Sequence, residues 1–273
     1  MSGFPGASSD RSAADYAVLG APLDVSTTFQ PGTRFGPDRI RRFAGTFDDY
    51  DHRTGTRFTD LAVHDAGDIA AWDDAADYLS FLRGQLADLH AEGVLPLLLG
   101  GEHTVTVAGV RAADPDVLVC VDAHLDLRAE YAGNELSHAT VTRHALDVVD
   151  EAVILGARTG SEAEWDRASE TDVTVVPPEA VADWEPGTAL ADRTAYLSVD
   201  VDGLDPGFAP GTGTMEPFGL APREVRDVVR RVAPHATAFD VVEVNDRDDG
   251  QAAAVAGKLL REFVFAHADA SDA

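Results

Sequence analysis

Asp122-Ala123-His124-Leu125-Asp126 and Asp200-Val201-Asp202 each close a short apolar run, and together they offer five groups able to bind a cation. Side chains at i and i+2 of an extended chain share a face, so alternating carboxylates and imidazoles can converge on one ion or a close pair. Gly100-Gly101-Glu102-His103-Thr104 ends a third apolar run, Leu95 to Leu99, and adds a second imidazole. The candidate metal ligands are therefore His103, Asp122, His124, Asp126, Asp200 and Asp202. Their four carboxylates would repel one another if buried alone, and two divalent ions would neutralise them. Oxygen-rich coordination with two imidazoles and no thiolate favours Mn²⁺ over structural zinc, with Co²⁺ or another divalent ion as a substitute. Paired ions that share a water lower its pKa and supply a hydroxide nucleophile at neutral pH. Each pair taken singly reads more readily as a helix cap, a turn or a partner for Arg. Their recurrence at the ends of successive apolar runs is what points to a metal site.

Such groups need a scaffold that carries distant segments to one edge. The apolar runs Tyr16-Leu19, Leu95-Leu99, Val117-Val121, Ala152-Leu155, Val173-Val176, Ala195-Val199 and Ala238-Val242 read as buried strands. Between them, Asp77 to Ala91 carries Leu79, Leu82, Leu86 and Leu89 at helical spacing, and Pro222 to Val232 and Ala252 to Phe265 show similar stripes. The alternation predicts an α/β fold: a single-domain, three-layer α/β/α arrangement with a mainly parallel sheet. Ligands in open α/β sheets bind beyond the carboxyl ends of the strands, where these polar motifs fall. Met1 to Asp15 is expected to be a disordered segment without a catalytic part, and residues 16–273 form the catalytic domain.

The 273 residues carry a formal charge of −27, which argues against a nucleic-acid partner because phosphates would be repelled. Of the 21 basic residues only Lys258 is a lysine, and acids crowd Asp73-Asp74 and Asp246 to Asp249. This balance predicts a halophilic protein, in which molar salt screens self-repulsion. No apolar run reaches the length of about 20 residues that a membrane helix needs, and the N-terminus lacks a basic region followed by an apolar core. The expectation is a cytoplasmic protein with no membrane partner. Cys120, the single cysteine, sits inside Val117 to Val121 and reads as a small buried hydrophobe.

These residues resemble the ureohydrolase family, which includes arginases and agmatinases. The resemblance rests on Gly100 to Thr104, on Asp122 to Asp126, and on Ser198-Val199-Asp200-Val201-Asp202-Gly203-Leu204-Asp205-Pro206 continued by Ala209 to Thr214. Pro31 to Pro37, Gly67-Asp68-Ile69 and Val242-Glu243-Val244-Asn245 fit as well, so it spans about residues 16 to 266. It implies an arginase-like sheet of eight mainly parallel strands and a binuclear manganese site. Asp122 and Asp200 would bridge the ions, His103 and Asp126 would complete one shell, and His124 and Asp202 the other. Asp126 would also hydrogen-bond the nucleophile, Glu243 would hold the guanidinium, and His138 in Ser137-His138-Ala139-Thr140 would shuttle protons. The family also implies a homo-oligomer, a trimer or hexamer.

The substrate implied is a small cationic guanidino compound. The stretch Asp122 to Thr140 resembles archaeal-type agmatinases, which points to agmatine, cleaved to putrescine and urea. The segments Leu127 to Glu130 and Gly156 to Ser161 lack the arginase arrangement. A carboxylate such as Glu130 or Glu162 would meet the terminal ammonium. Arg128 points instead towards an acidic tail, as in formimidoylglutamate or guanidinobutyrate, or pairs with a neighbouring acid. Met215 and Phe218 stand where the family has proline and glycine, which admits a larger polyamine such as N1-aminopropylagmatine. Two readings lie outside this class: a one-zinc deacetylase of the same architecture, opposed by the full ligand set, and a non-enzymatic relative, opposed by the retention of Glu243.

Overall fold

The computed structural model describes residues 3–70, 72–187 and 189–271. Its main sheet has eight strands: β1 (Tyr16–Ala21), β4 (Val63–Asp68), β5 (Leu95–Gly100), β6 (Val117–Val121), β7 (Glu151–Leu155), β8 (Val173–Val176), β9 (Ala195–Asp200) and β10 (Ala236–Val242). A separate hairpin pairs β2 (Tyr50–Asp51) with β3 (Thr56–Arg57). The strand order is β4-β1-β5-β10-β9-β6-β7-β8, and every pairing within it is parallel. Parallel strands covered on both faces read as continuous apolar runs, and β6 is Val-Leu-Val-Cys-Val with every residue buried.

Helices α1 (Gly36–Ala44), α6 (Pro178–Val181), α7 (Pro222–Val232) and α8 (Gln251–Ser271) cover one face. Ile40, Val181, Val228 and Phe263 pack there with Leu97, Val119, Leu197 and Phe239. Helices α2 (Ala75–Ala91), α3 (Val105–Ala113), α4 (Val141–Ala145) and α5 (Glu162–Ala168) cover the other. Leu82 and Leu86 of α2 pack against Leu19 and Leu98, Val110 and Ala145 against Leu118, and Ala168 against Ile154.

Two features differ from the expectations above. The edge strand β4 does not announce itself, because only Val63 of Val-His-Asp-Ala-Gly-Asp is fully buried. Its acids are used by α1: Arg41, itself buried, donates from Nε and Nη2 to Asp65 at 2.8 and 2.9 Å and pairs also with Asp68. The second difference is the N-terminal segment, expected to be disordered. Met1 and Ser2 lie outside the described residues, but residues 3–15 run along β4. Phe4 is 2% exposed and packs on Phe58 with ring centroids 5.8 Å apart. Ser9 N–H donates to the Val63 carbonyl, and Asp15 N–H to that of Ala62. A single buried phenylalanine in a Ser/Gly-rich stretch supplies the anchor that composition alone conceals.

Candidate metal centre and active site

Strands β5, β10, β9 and β6 are consecutive in the sheet, and the polar motifs follow their carboxyl ends. Four segments far apart in sequence therefore meet at one place. His103 Nδ1 lies 2.9 Å from Asp126 Oδ2, 3.1 Å from Asp122 Oδ2 and 3.5 Å from Asp200 Oδ2. His124 Nδ1 lies 3.0 Å from Asp202 Oδ2 and 3.5 Å from Asp122 Oδ1. The six candidate ligands thus form two groups that share Asp122, one oxygen turned to each imidazole. Backbone N–H groups hold the carboxylates in place: His124 to Asp122 Oδ1 at 2.7 Å, Asp202 to Asp200 Oδ1 at 2.8 Å, and Ala123 to Asp202 Oδ1 at 3.1 Å.

The electrostatics of the chain alone are unfavourable in a way that cations would relieve. Burial and the charges of Asp202 and Asp122 push Asp200 well above the carboxylate range. Burial, with Asp122 beside it, raises Asp126 to about 7. Burial opposes ionisation of Asp122 too, but the neighbouring imidazoles of His103 and His124 outweigh it and hold this carboxyl low. For His124, burial is outweighed by Asp202 and Asp122, which raise it. His103 Nδ1 is buried without a hydrogen-bond partner, although three carboxylates surround it. An imidazole nitrogen set among carboxylate oxygens is the donor set of a divalent cation site. Cys120 Sγ stands 3.7 Å from His103 Nε2, the nitrogen turned away from the acids, and burial pushes its thiol up to about 12. It is a neutral thiol, in keeping with a buried hydrophobe.

Glu243 and His138 flank this cluster. Glu243 follows β10 with φ of +64°, and Asp126 has φ of +51°. Non-glycine residues held in the left-handed region cost about 1–3 kcal/mol each and recur at active sites. Burial raises the Glu243 carboxyl to about 8. His138 opens a 3₁₀ turn capped by Ser137. Its backbone N–H donates to Ser26 Oγ at 3.1 Å, and its Nδ1 lies 3.2 Å from the same oxygen. Ser26 in turn donates to Glu102 Oε1 at 2.8 Å, and its backbone N–H donates to Glu102 Oε2. Burial, then the imidazoles of His124 and His103, lower His138 to about 4, so it stands neutral at pH 7.

A cavity of about 220 Å³ opens over His124, Asp126 and His138 and is walled by Arg128, Tyr131 and Glu164. Arg128 Nη2 pairs with the buried Glu164 Oε2 at 3.1 Å, and its guanidinium lies over the Tyr131 ring at 5.0 Å. Tyr131 meets His138 edge-on at 5.6 Å. Glu130 and Glu162, the acids proposed for the substrate tail, are exposed and do not line this cavity. Glu164, which sequence reasoning passed over, does. Its signal was the Ser161-Glu162-Ala163-Glu164 capping box, where Glu164 Oε2 accepts from both Ser161 N–H and Oγ. Behind the Asp202 loop, Arg158 donates to the carbonyls of Gly156, Asp202, Gly203, Leu204, Glu216 and Pro217.

Residues 14–266 match the model of the arginase family. This chain belongs to the arginase family. The agmatinase of Bacillus subtilis is 32% identical over 92% of this chain and 91% of its own length. The proclavaminate amidinohydrolase of Streptomyces clavuligerus is 35% identical over 93% and 89%. The crystal structure of the agmatine ureohydrolase of Thermoplasma volcanium superposes with a TM-score of 0.94 at 32% identity, covering 100% of this chain and 96% of that one. The arginase family is binuclear and manganese-dependent, and the candidate metal site here is formed by His103, Asp122, His124 and Asp202. No helix among the described residues is long and apolar enough to cross a membrane.

Proposed function

We propose that this ureohydrolase cleaves agmatine to putrescine and urea at a site for two manganese ions. The observation that carries the reading is the division of the six donor residues into two groups around a shared Asp122. His103, Asp122, Asp126 and Asp200 would hold one ion, and His124, Asp202 and the shared carboxylates the other. The ions, when bound, supply a hydroxide nucleophile from water at neutral pH. Asp126 would accept a hydrogen bond from it and so orient it. Glu243 receives the guanidinium, whose planar donors match a carboxylate. His138, neutral at pH 7, takes a proton from the site and passes it to the departing amine nitrogen.

The cationic tail is supported by the state of Arg128. Its charge is spent on Glu164 and its face on Tyr131, so this wall arginine is not free to meet a carboxylate tail. Arg128 nevertheless stands in that wall, which favours a second reading, a guanidino acid such as guanidinobutyrate. The test is urea release after Mn²⁺ loading in molar KCl, from agmatine, arginine, guanidinobutyrate and N1-aminopropylagmatine, with ammonia and formamide measured from formimidoylglutamate. Urea from agmatine in large preference supports the assignment; preference for guanidinobutyrate transfers it to the second reading. The charge of −27 supports the choice of salt, since screening relieves self-repulsion.

A further inference from the structure

Behind His103, on the sheet face covered by α3, lies a carboxylate that the chemistry above does not use. Asp240 in β10 is fully buried. Ser198 Oγ donates to its Oδ1 at 2.6 Å, while Thr106 Oγ1 and Tyr196 OH donate to Oδ2 at 2.7 and 2.8 Å. Burial raises this carboxyl, and the three hydroxyls oppose that by donating to its ionised form. Ser198, its one proton committed to Asp240, faces His103 Nε2 at 3.2 Å and can only accept there. His103 then carries a proton on Nε2, which leaves Nδ1 as the ring nitrogen able to give its lone pair to a cation. That is the atom set among Asp122, Asp126 and Asp200 without a hydrogen-bond partner.

The fold makes space for this network. Gly109 lies within α3, where glycine is otherwise unfavourable, and a Cβ there would stand 2.0 Å from the Tyr196 hydroxyl. The close approach lets Tyr196 reach Asp240. The alternation of β9 places Tyr196 and Ser198 on one face, while the Asp200 that follows them reaches the metal cluster at the strand end.

We propose that Ser198 and Asp240 are positioning residues for the metal centre, fixing the tautomer and ring plane of His103 so that Nδ1 is presented to the cation. Metal-ligating histidines are generally held this way through their second nitrogen, and here a serine hydroxyl is interposed between ring and carboxylate. The inference rests on the two-metal reading above.

Its test is Mn²⁺ binding rather than turnover. Metal-stripped parent, Ser198→Ala, Asp240→Asn and Tyr196→Phe proteins are titrated with Mn²⁺ against a competing chelator, and bound metal is counted by elemental analysis. Ser198→Ala and Asp240→Asn are expected to weaken one Mn²⁺ equivalent about tenfold to a hundredfold and the other much less. Tyr196→Phe, which leaves the Ser198 bond in place, is expected to keep both. Parental affinity for both equivalents in Ser198→Ala overturns the proposal, and so does equal weakening of both, the mark of a general packing loss. Should Asp240→Asn fail to fold, Ser198→Ala decides alone. A parent that binds fewer than two Mn²⁺ sinks the two-metal reading itself, a failure distinct from a parent and variant that bind two alike.

Discussion

The backbone N–H of His103 donates to Glu243 Oε1 at 2.8 Å across 140 residues of chain. The bond is one half of a latch, since the Glu243 N–H donates to the Gly101 carbonyl, also at 2.8 Å. The carboxylate proposed to hold the guanidinium is thereby set against the loop that supplies a metal ligand. Glu243→Gln retains an oxygen for the His103 N–H but cannot ionise against a bound guanidinium. The expected result is a fall of about tenfold to a hundredfold in kcat/KM for agmatine, the worth of a charge-assisted hydrogen bond. Bound Mn²⁺ per chain, measured in parallel, should stay at the parental count.

His138 receives its orientation from Ser26, and Ser26 from Glu102. Replacement His138→Ala should reduce kcat by about 10²–10⁴, the range of general acid–base catalysis, with a smaller change in KM. Ser26→Ala should give a smaller loss with the same kcat-weighted profile, because the imidazole remains but is no longer held. Steady-state kinetics on agmatine separate the two; a Ser26→Ala enzyme altered only in KM would break the link.

Arg128 pairs with Glu164 in the cavity wall, and the proposed tail preference turns on that pairing. Glu164→Gln releases the guanidinium towards the cavity, so the ratio of guanidinobutyrate to agmatine turnover should rise by about tenfold, one new charge contact in a partly desolvated site. Arg128→Met should move the ratio the other way. Paired kcat/KM measurements on the two substrates provide the readout, and movement of both variants in one direction would refute this account.

Stability at acid pH depends on Arg41 and Asp65. Burial opposes ionisation of Asp65, but the hydrogen bonds and charge of Arg41 outweigh it, so its folded pKa lies below the usual value. A carboxyl lowered on folding contributes stability that is complete above its unfolded pKa of about 3.9 and is lost as pH falls through the folded value. Arg41→Leu leaves Asp65 buried and uncompensated, and should cost about 3–5 kcal/mol at pH 7. Urea unfolding from pH 7 to pH 3 checks both statements: the penalty should shrink as the medium becomes acid.

Much of this architecture is legible in the chain because parallel strands are buried on both faces. Val117 to Val121 and Leu95 to Leu99 have little choice of structure, and the acids and imidazoles that follow them can only emerge at the sheet edge. What escapes a linear reading is long-range pairing. Glu102 lies inside a recognised motif, yet its bond to Ser26 spans 76 residues and follows from no local pattern. The same holds for Arg128, whose partner could have been any of several nearby acids until the fold selected Glu164. Strand β4 is hidden for a different reason: as an edge strand it spends its polar side chains on Arg41 rather than burying an apolar face.

The grip of Arg158 on its neighbours is a grip on main chain. Each of its hydrogen bonds ends on a carbonyl oxygen, so the hold on Asp202, Glu216 and Pro217 is indifferent to which side chains those positions carry. Met215 and Phe218, both exposed, are therefore free to drift in evolution, or to be randomised in a library, without unseating the Asp202 loop. A lineage built this way can change the company its substrate keeps while leaving the bond-breaking chemistry where it stands.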